Sequence, residues 1–108
     1  MFAKNMQTVI LLDIYGNLLT EKQHHVLSDY YENDLSLGEI AAETGITRQA
    51  VSETVKRGVE ILNKYENTLH VARKYNKIKE KLGYIENIAE QNKDNKLLEL
   101  VNECKEII

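Results

Sequence analysis

The sequence predicts an all-α protein, and three observations support this fold class. Proline is absent from the 108 residues and glycine occurs only five times, so few positions force a helix to end. Apolar residues recur every three or four positions along most of the chain, as on the buried face of an amphipathic helix. Two segments, Thr20 to Gln23 and Ser36 to Glu39, have the Ser/Thr-x-x-Glu/Gln spacing of a helix capping box.

The first helix is expected over about Phe2–Tyr15, with Phe2, Met6, Val9 and Ile10 on its buried face. The next predicted helices are Glu21–Glu32, Leu37–Thr44 and one from Arg48 to about Tyr65. Together with the preceding loops, these helices form a predicted domain at residues 1–65, which contains a helix-turn-helix at residues 36–57.

Residues 66–108 are expected to form a C-terminal helical extension. Helix should continue to about Leu82, Gly83 should act as a hinge, and Tyr84–Ile108 should form one or two amphipathic helices. This segment carries more apolar residues than a solvated tail should expose. It can fold back on the first helix or pair with a second copy, and we favour a homodimer held by these helices.

The sequence also indicates which cellular locations and which kinds of site are not expected. The lone Cys104 cannot form an internal disulfide, and the apolar run Val9–Leu12 is too short for a signal peptide or a membrane span, so we expect a cytoplasmic protein without membrane insertion. His24 and His25 are adjacent, so on a helix they point about 100° apart and cannot chelate a metal together. No glycine-rich phosphate loop, zinc-protease motif or nucleophile with a base is recognisable, so no catalytic residue, metal or cofactor is expected.

Charge is segregated along the chain, which has a net charge of −3. Residues 1–47 hold two basic and seven acidic side chains, whereas residues 48–81 hold nine basic and four acidic ones. Residues 82–108 are acidic again, with three basic and six acidic side chains. The basic block begins at the second helix of the predicted motif, where a nucleic-acid-binding surface requires it.

The segment "LSLGEIAAETGITRQAVSETVKRG", Leu35–Gly58, has the pattern of a helix-turn-helix. The motif requires a small residue between its helices, a residue that tolerates positive φ in the turn, and apolar positions that hold the second helix. Ala41, Gly45, Ile46 and Val51 meet these requirements at the right spacing. Two positions that are often apolar in the motif hold threonines instead, at Thr44 and Thr54.

The start of the second helix carries side chains suited to nucleic acid. The predicted contact residues are Thr47, Arg48, Gln49, Ser52, Lys56 and Arg57. Arginine can pair with guanine and glutamine with adenine, while hydroxyl, lysine and arginine side chains can bind phosphates. Glu53 lies among them and opposes contact with phosphate, so it favours either narrow specificity or no DNA contact.

A second basic stripe is predicted within "ARKYNKIKEKLGY". Its residues are Arg73, Lys74, Lys77 and Lys81, interleaved with tyrosines. Lysines and aromatic rings together suit RNA, although the same pattern is also that of an ordinary solvated helix face.

The segment "LTEKQHHVLSDYYENDLSLGEIAAETGITRQAVSETVKRGVEILNKYE" resembles region 4 of bacterial sigma factors. More closely, residues 5 to 85 are similar to the YlxM-like family of small helix-turn-helix proteins. The resemblance implies an all-α, sigma-region-4-like bundle and a regulatory or accessory role in the signal recognition particle pathway. It places Arg48, Gln49, Ser52 and Lys56 at positions that face DNA in sigma-like domains, and it implies no catalytic residues.

Three functions follow from these patterns. The first is a non-enzymatic helix-turn-helix accessory protein whose partner is RNA or protein of the signal recognition particle. The second is a sequence-specific DNA-binding transcription regulator. The third, favoured by the acidic first and last thirds of the chain, is a helical adaptor that binds proteins.

Overall fold

The computed structural model describes residues 5–108, and within them it contains six α-helices and no strand, which confirms the predicted all-α fold. The helices are α1 (Met6–Tyr15), α2 (Glu21–Tyr31), α3 (Leu37–Thr44), α4 (Arg48–Leu69), α5 (Val71–Gln91) and α6 (Asn95–Ile107). A 3₁₀ turn at Gly16–Leu18 follows α1. Within the same residues, no helix combines the length and the apolar content needed to cross a bilayer.

The helices form two compact units, the first ending at His70 and the second comprising Val71–Ile108. We expected the boundary after Tyr65. The structure places it later because α4 continues without a break to Leu69, where His70 ends it with a left-handed φ of 58°.

The first unit is built around α4, which packs against α1, α2 and α3. Its core consists of aliphatic side chains and one tyrosine, Leu11, Leu12, Tyr15, Leu19, Val26, Leu27, Ile40, Val51, Val55 and Leu62. The Tyr15 ring stacks on that of Tyr65 at 5.8 Å between centroids, and its hydroxyl donates to Glu66 Oε1 at 2.7 Å. The C-terminal part of α4 is thus anchored to the end of α1.

The caps of α2 and α3 confirm the sequence signals. The hydroxyls of Thr20 and Ser36 accept hydrogen bonds from the backbone N–H groups of Gln23 and Glu39, whose side chains accept in return from the cap residues. Each reciprocal pair satisfies two donors that a helix terminus leaves open.

The buried face of α1 differs from the prediction. Its buried residues are Thr8, Leu11, Leu12 and Tyr15, whereas Met6 is 67% exposed and Val9 and Ile10 are half-buried. Phe2 lies outside the described residues. Seven of the ten residues of this helix are apolar and they lie on several sides of it, so its periodicity could not identify the buried face.

The second unit is a helical hairpin of α5 and α6, joined by a short turn at residues 92–94 in which Lys93 has a φ of 53°. Leu82 and Ala89 on α5 and Val101 on α6 are buried, and Lys105 Nζ lies 2.6 Å from Glu86 Oε2 across the pair. The predicted hinge at Gly83 is wrong, because α5 passes through it. A mid-helix glycine costs only about 1 kcal/mol relative to alanine, which contacts along the helix can offset.

Candidate nucleic-acid interface

The turn of the helix-turn-helix has the geometry that the sequence predicted. Gly45 adopts the left-handed conformation, with a φ of 77°, and its N–H donates to the Ala41 carbonyl at 2.9 Å. A Cβ at Gly45 would meet no atom within 4 Å, so the requirement for glycine is conformational. Two residues later, the Thr47 hydroxyl accepts from the Ala50 N–H at 3.0 Å and caps α4. The turn therefore occupies only residues 45–47.

The buried stripe of α4 consists of Val51, Val55, Gly58 and Leu62. Gly58 lies where α4 crosses α2, and a Cβ built on it would come within 2.6 Å of Leu27 Cδ1. This contact was not predicted from the sequence, although a glycine inside a long helical pattern often signals close packing. This stripe fixes the rotation of α4 and thereby decides which of its side chains face solvent.

Thr44 and Thr54, at two positions that are often apolar in the motif, each donate a hydrogen bond from the hydroxyl to a backbone carbonyl. Thr44 Oγ1 donates to the Ile40 carbonyl at 2.7 Å, and Thr54 Oγ1 donates to the Ala50 carbonyl at 2.9 Å. Each bond reaches back four residues within one helix, so a half-buried threonine replaces an apolar residue without leaving a polar group unpaired.

All six predicted contact residues are exposed, Thr47 at the N-cap of α4 and the other five on its first three turns. At 100° per residue, Gln49, Ser52 and Lys56 lie within an arc of about 60° on the side turned away from the buried stripe. We call these three side chains the outer strip. Such a strip of amide, hydroxyl and ammonium groups can bind base edges and phosphates.

Arg48 lies apart from the outer strip. Its Nε is 3.7 Å, and its Cζ 3.8 Å, from the position that a Cβ on Gly38 would occupy. The guanidinium group therefore lies over the first turn of α3, where Gly38 leaves room for it. This placement joins a positive charge to a helix N-terminus, and both attract phosphate.

Glu53 is exposed beside the outer strip. It precedes Arg57 by four residues, and a glutamate one turn before an arginine on a helix can pair with it. The same carboxylate can also accept from a cytosine amino group. The negative charge of Glu53 therefore restricts which groups of a nucleic acid this surface can bind, but it does not exclude nucleic acid.

The second basic stripe lies on α5, in the second unit. Arg73, Lys74, Lys77 and Lys81 are exposed and fall within an arc of about 100° on the helix. Lys81 Nζ lies 5.8 Å from the centroid of the Tyr84 ring, and the Tyr84 hydroxyl donates to Glu80 Oε1 at 3.2 Å. The predicted residues thus share one face of α5.

Comparison with known proteins identifies the family. The chain is 43% identical over 99 residues to a UPF0122 protein of Malacoplasma penetrans, covering 92% of this chain and 86% of that protein. It is 42% identical over 106 residues to a UPF0122 protein of Listeria innocua, covering 98% and 94%. A UPF0122 protein of Clostridium kluyveri is 42% identical over 99 residues, covering 92% and 89%. Residues 2–104 match the family described as "Putative helix-turn-helix protein, YlxM / p13 like", and the chain belongs to this UPF0122 family.

Proposed function

We propose that this chain is a non-enzymatic helix-turn-helix accessory protein that binds nucleic acid through the first three turns of α4. The observation that carries the proposal is the exposure of all six predicted contact residues, three of which form the outer strip on the side of α4 away from its buried stripe. A surface helix of this kind can enter the major groove of duplex DNA.

The placement of the side chains suggests separate roles. The outer strip supplies groups for base edges and phosphates, with Gln49 suited to adenine and Lys56 to a phosphate. Arg48, together with the first turn of α3, is better placed for a phosphate than for a base, because its guanidinium group lies over Gly38. Thr47 and Arg57, at the two ends of the exposed surface, complete the phosphate contacts.

The dependence of binding on salt tests this proposal. Fluorescence anisotropy with mixed-sequence duplex DNA measures how the logarithm of the association constant changes with the logarithm of salt concentration. Because each lost phosphate contact removes about 0.9 from the magnitude of this slope, Arg48→Ala with Lys56→Ala should lower it by about 1.8. Lys22→Ala with Lys93→Ala removes the same charge elsewhere and should leave the slope nearly unchanged. Equal effects of both pairs would refute docking through α4.

A second candidate is a role in the signal recognition particle pathway, which the family resemblance suggests. The α5 stripe supports it, because clustered lysine and arginine beside a tyrosine suit structured RNA. Arg73→Ala, Lys74→Ala and Lys77→Ala together should weaken binding to the particle's RNA. Lys79→Ala, an exposed lysine on another side of α5, is the control. A pull-down from lysate with and without nuclease separates this role from a protein adaptor, whose binding survives nuclease.

We further propose that the chain forms a homodimer through its second unit. This unit has fewer than 40 residues, a size at which helices usually require additional stabilisation such as oligomerisation. It also exposes large aliphatic side chains, Ile78, Ile85, Ile88, Leu100 and Ile107. A second copy could bury these side chains. The dimer would then present two copies of α4 to the two half-sites of a DNA site.

A further inference from the structure

Three potential metal ligands from two helices meet beside the helix-turn-helix. His25 Nε2 on α2 lies 3.2 Å from Asp29 Oδ2, one turn further along the same helix. The same nitrogen lies 3.6 Å from Glu43 Oε1 near the end of α3. The three donor atoms are all within 4.8 Å of one another. We call this group the His25 triad.

The buried carboxylate of Asp29 provides a second, independent observation. Asp29 is 6% exposed, and its Oδ1 accepts a hydrogen bond from Asn33 Nδ2 at 3.0 Å. Among the residues that the structure describes, nothing donates a hydrogen bond to its buried Oδ2 atom. A buried carboxylate oxygen that accepts no hydrogen bond is unfavourable unless a cation lies beside it. Asp29 Oδ2 is also the oxygen that belongs to the His25 triad.

We propose that His25, Asp29 and Glu43 bind a divalent first-row transition metal ion, with Zn²⁺ as its representative. An imidazole nitrogen and two carboxylate oxygens are accepted ligands of such ions. The proposal goes beyond nucleic-acid binding and does not depend on it.

The distances within the His25 triad are close to those that a metal requires. Ligand atoms about 2.1 Å from one ion, at tetrahedral or octahedral angles, are about 3.0–3.4 Å apart. The observed 3.2 and 3.6 Å from His25 Nε2 are near this range. The donor atoms as a group lie within 4.8 Å of one another, so a shared ion would require Glu43 to move by up to about 1.5 Å. The Glu43 side chain is 53% exposed and can move this far without disturbing the core.

The surroundings of the His25 triad also suit a dication. Two carboxylates balance a charge of +2, and the hydrogen bond from Asn33 orients Asp29 as outer-shell partners orient metal ligands. The His25 side chain is 58% exposed, so water can complete the coordination. The ion would link α2 to the last turn of α3, two residues before Gly45. It would thereby hold the helix-turn-helix in place against α2.

Binding of Zn²⁺ alone to the full-length chain tests the site. Isothermal titration is done in a Cys104→Ser background, because the exposed thiol of Cys104 could also bind zinc. We expect one ion per chain and at least about a tenfold loss of affinity in both His25→Ala and Glu43→Gln. Glu43→Gln is a conservative change at an exposed position, so it keeps the test valid if Asp29→Asn fails to fold.

Matched controls remove a histidine or a glutamate outside the His25 triad. His24→Ala, on the same helix, and Glu60→Gln, exposed on α4, should bind Zn²⁺ as tightly as the parent chain. At the same concentration, Zn²⁺ should also raise the Tm of the parent and both controls by more than that of Glu43→Gln. Absence of zinc binding by the parent, or equal affinities for Glu43→Gln and the controls, would overturn the proposal and leave the triad as an ion pair around the imidazole.

Discussion

Gly58 in α4 and Gly83 in α5 both lie inside long helices, one in each unit, yet only one of them is required by packing. A Cβ on Gly58 would come within 2.6 Å of Leu27, whereas a Cβ on Gly83 would meet nothing within 4 Å. The first glycine permits α2 and α4 to approach closely. The second only lowers the stability of its helix. The same residue type in the same local pattern therefore has opposite consequences in the two units.

The contrast extends to the cores of the two units. The first unit buries large aliphatic side chains from all of its four helices, with Leu27, Ile40 and Leu62 each 0% exposed. In the second unit, Ile88 and Leu100 remain 53% and 49% exposed. The first unit has a complete core of its own, whereas the hairpin presents apolar surface that a partner could cover.

The largest expected effect comes from opening the core of the first unit. Leu27→Ala should lower the free energy of unfolding by about 2–5 kcal/mol, because it removes buried methyl groups and leaves a cavity under Gly58. Leu18→Ala, at a 55% exposed position, should change it by less than about 0.5 kcal/mol. Urea denaturation measures both, and equal losses would contradict the proposed core.

Gly58→Ala is the second test. The added methyl group would overlap Leu27, which is fully buried and has little room to move, so a loss of about 1–3 kcal/mol is expected. Pairing it with Leu27→Ala should recover part of that loss, because the smaller side chain leaves space for the new methyl group. Strictly additive losses in the double variant would argue against this contact.

Charged substitutions on the exposed apolar surface of the second unit test the proposed dimer. Ile85→Lys with Ile88→Lys should raise the dimer dissociation constant at least about tenfold, because lysines in an apolar interface lose solvation. Sedimentation equilibrium measures this constant, and Lys79→Glu on another side of α5 controls for a general charge effect. A monomeric parent chain would rule out the proposed dimer.

Gly83→Ala should have the opposite sign to Gly58→Ala. Alanine is favoured over glycine inside a helix by up to about 1 kcal/mol, and open space surrounds this position. A higher free energy of unfolding or a higher Tm is therefore expected, and a clear loss of stability would mean that Gly83 is packed after all.

The smallest effect concerns alkaline pH. Burial raises the pKa of Tyr31 above its ordinary value of 10.0, with a further contribution from neighbouring Tyr30, while a hydrogen bond with Thr8 acts against them. Since the unfolded chain loses this proton more readily, the contribution of Tyr31 to stability is present below pH 10 and is lost as pH rises through the folded-state pKa. Tyr31→Phe should make the fall in stability above pH 10 less steep. An identical pH profile in both chains would contradict the assignment.

Local sequence signals correctly predicted the caps of α2 and α3 and the turn of the helix-turn-helix. The capping boxes at Thr20 and Ser36 and the left-handed Gly45 depend on neighbouring residues only, so they can be read without the fold. The same signals were misleading in the second half of the chain. There the breaks occur at His70 and Lys93, which adopt φ values of 58° and 53°, and not at a glycine.

The His25 triad shows the limit of sequence reasoning most clearly. In the sequence His25 is adjacent to His24, whereas the structure groups it with Asp29 on the same helix and with Glu43 on the next. No spacing rule joins His25 to Glu43, because the loop between α2 and α3 sets their separation in space.

The sequence alone determined the helical fold class, the caps, the turn of the helix-turn-helix and the candidate contact residues at the start of α4. These features rest on hydrogen bonds and conformational preferences that act over four residues or fewer. Only the tertiary structure decided which face of α1 is buried, why Gly58 must be small, where Arg48 lies, and that His25 meets Glu43. Those outcomes depend on the close approach of helices distant in sequence, which side-chain volume and packing determine.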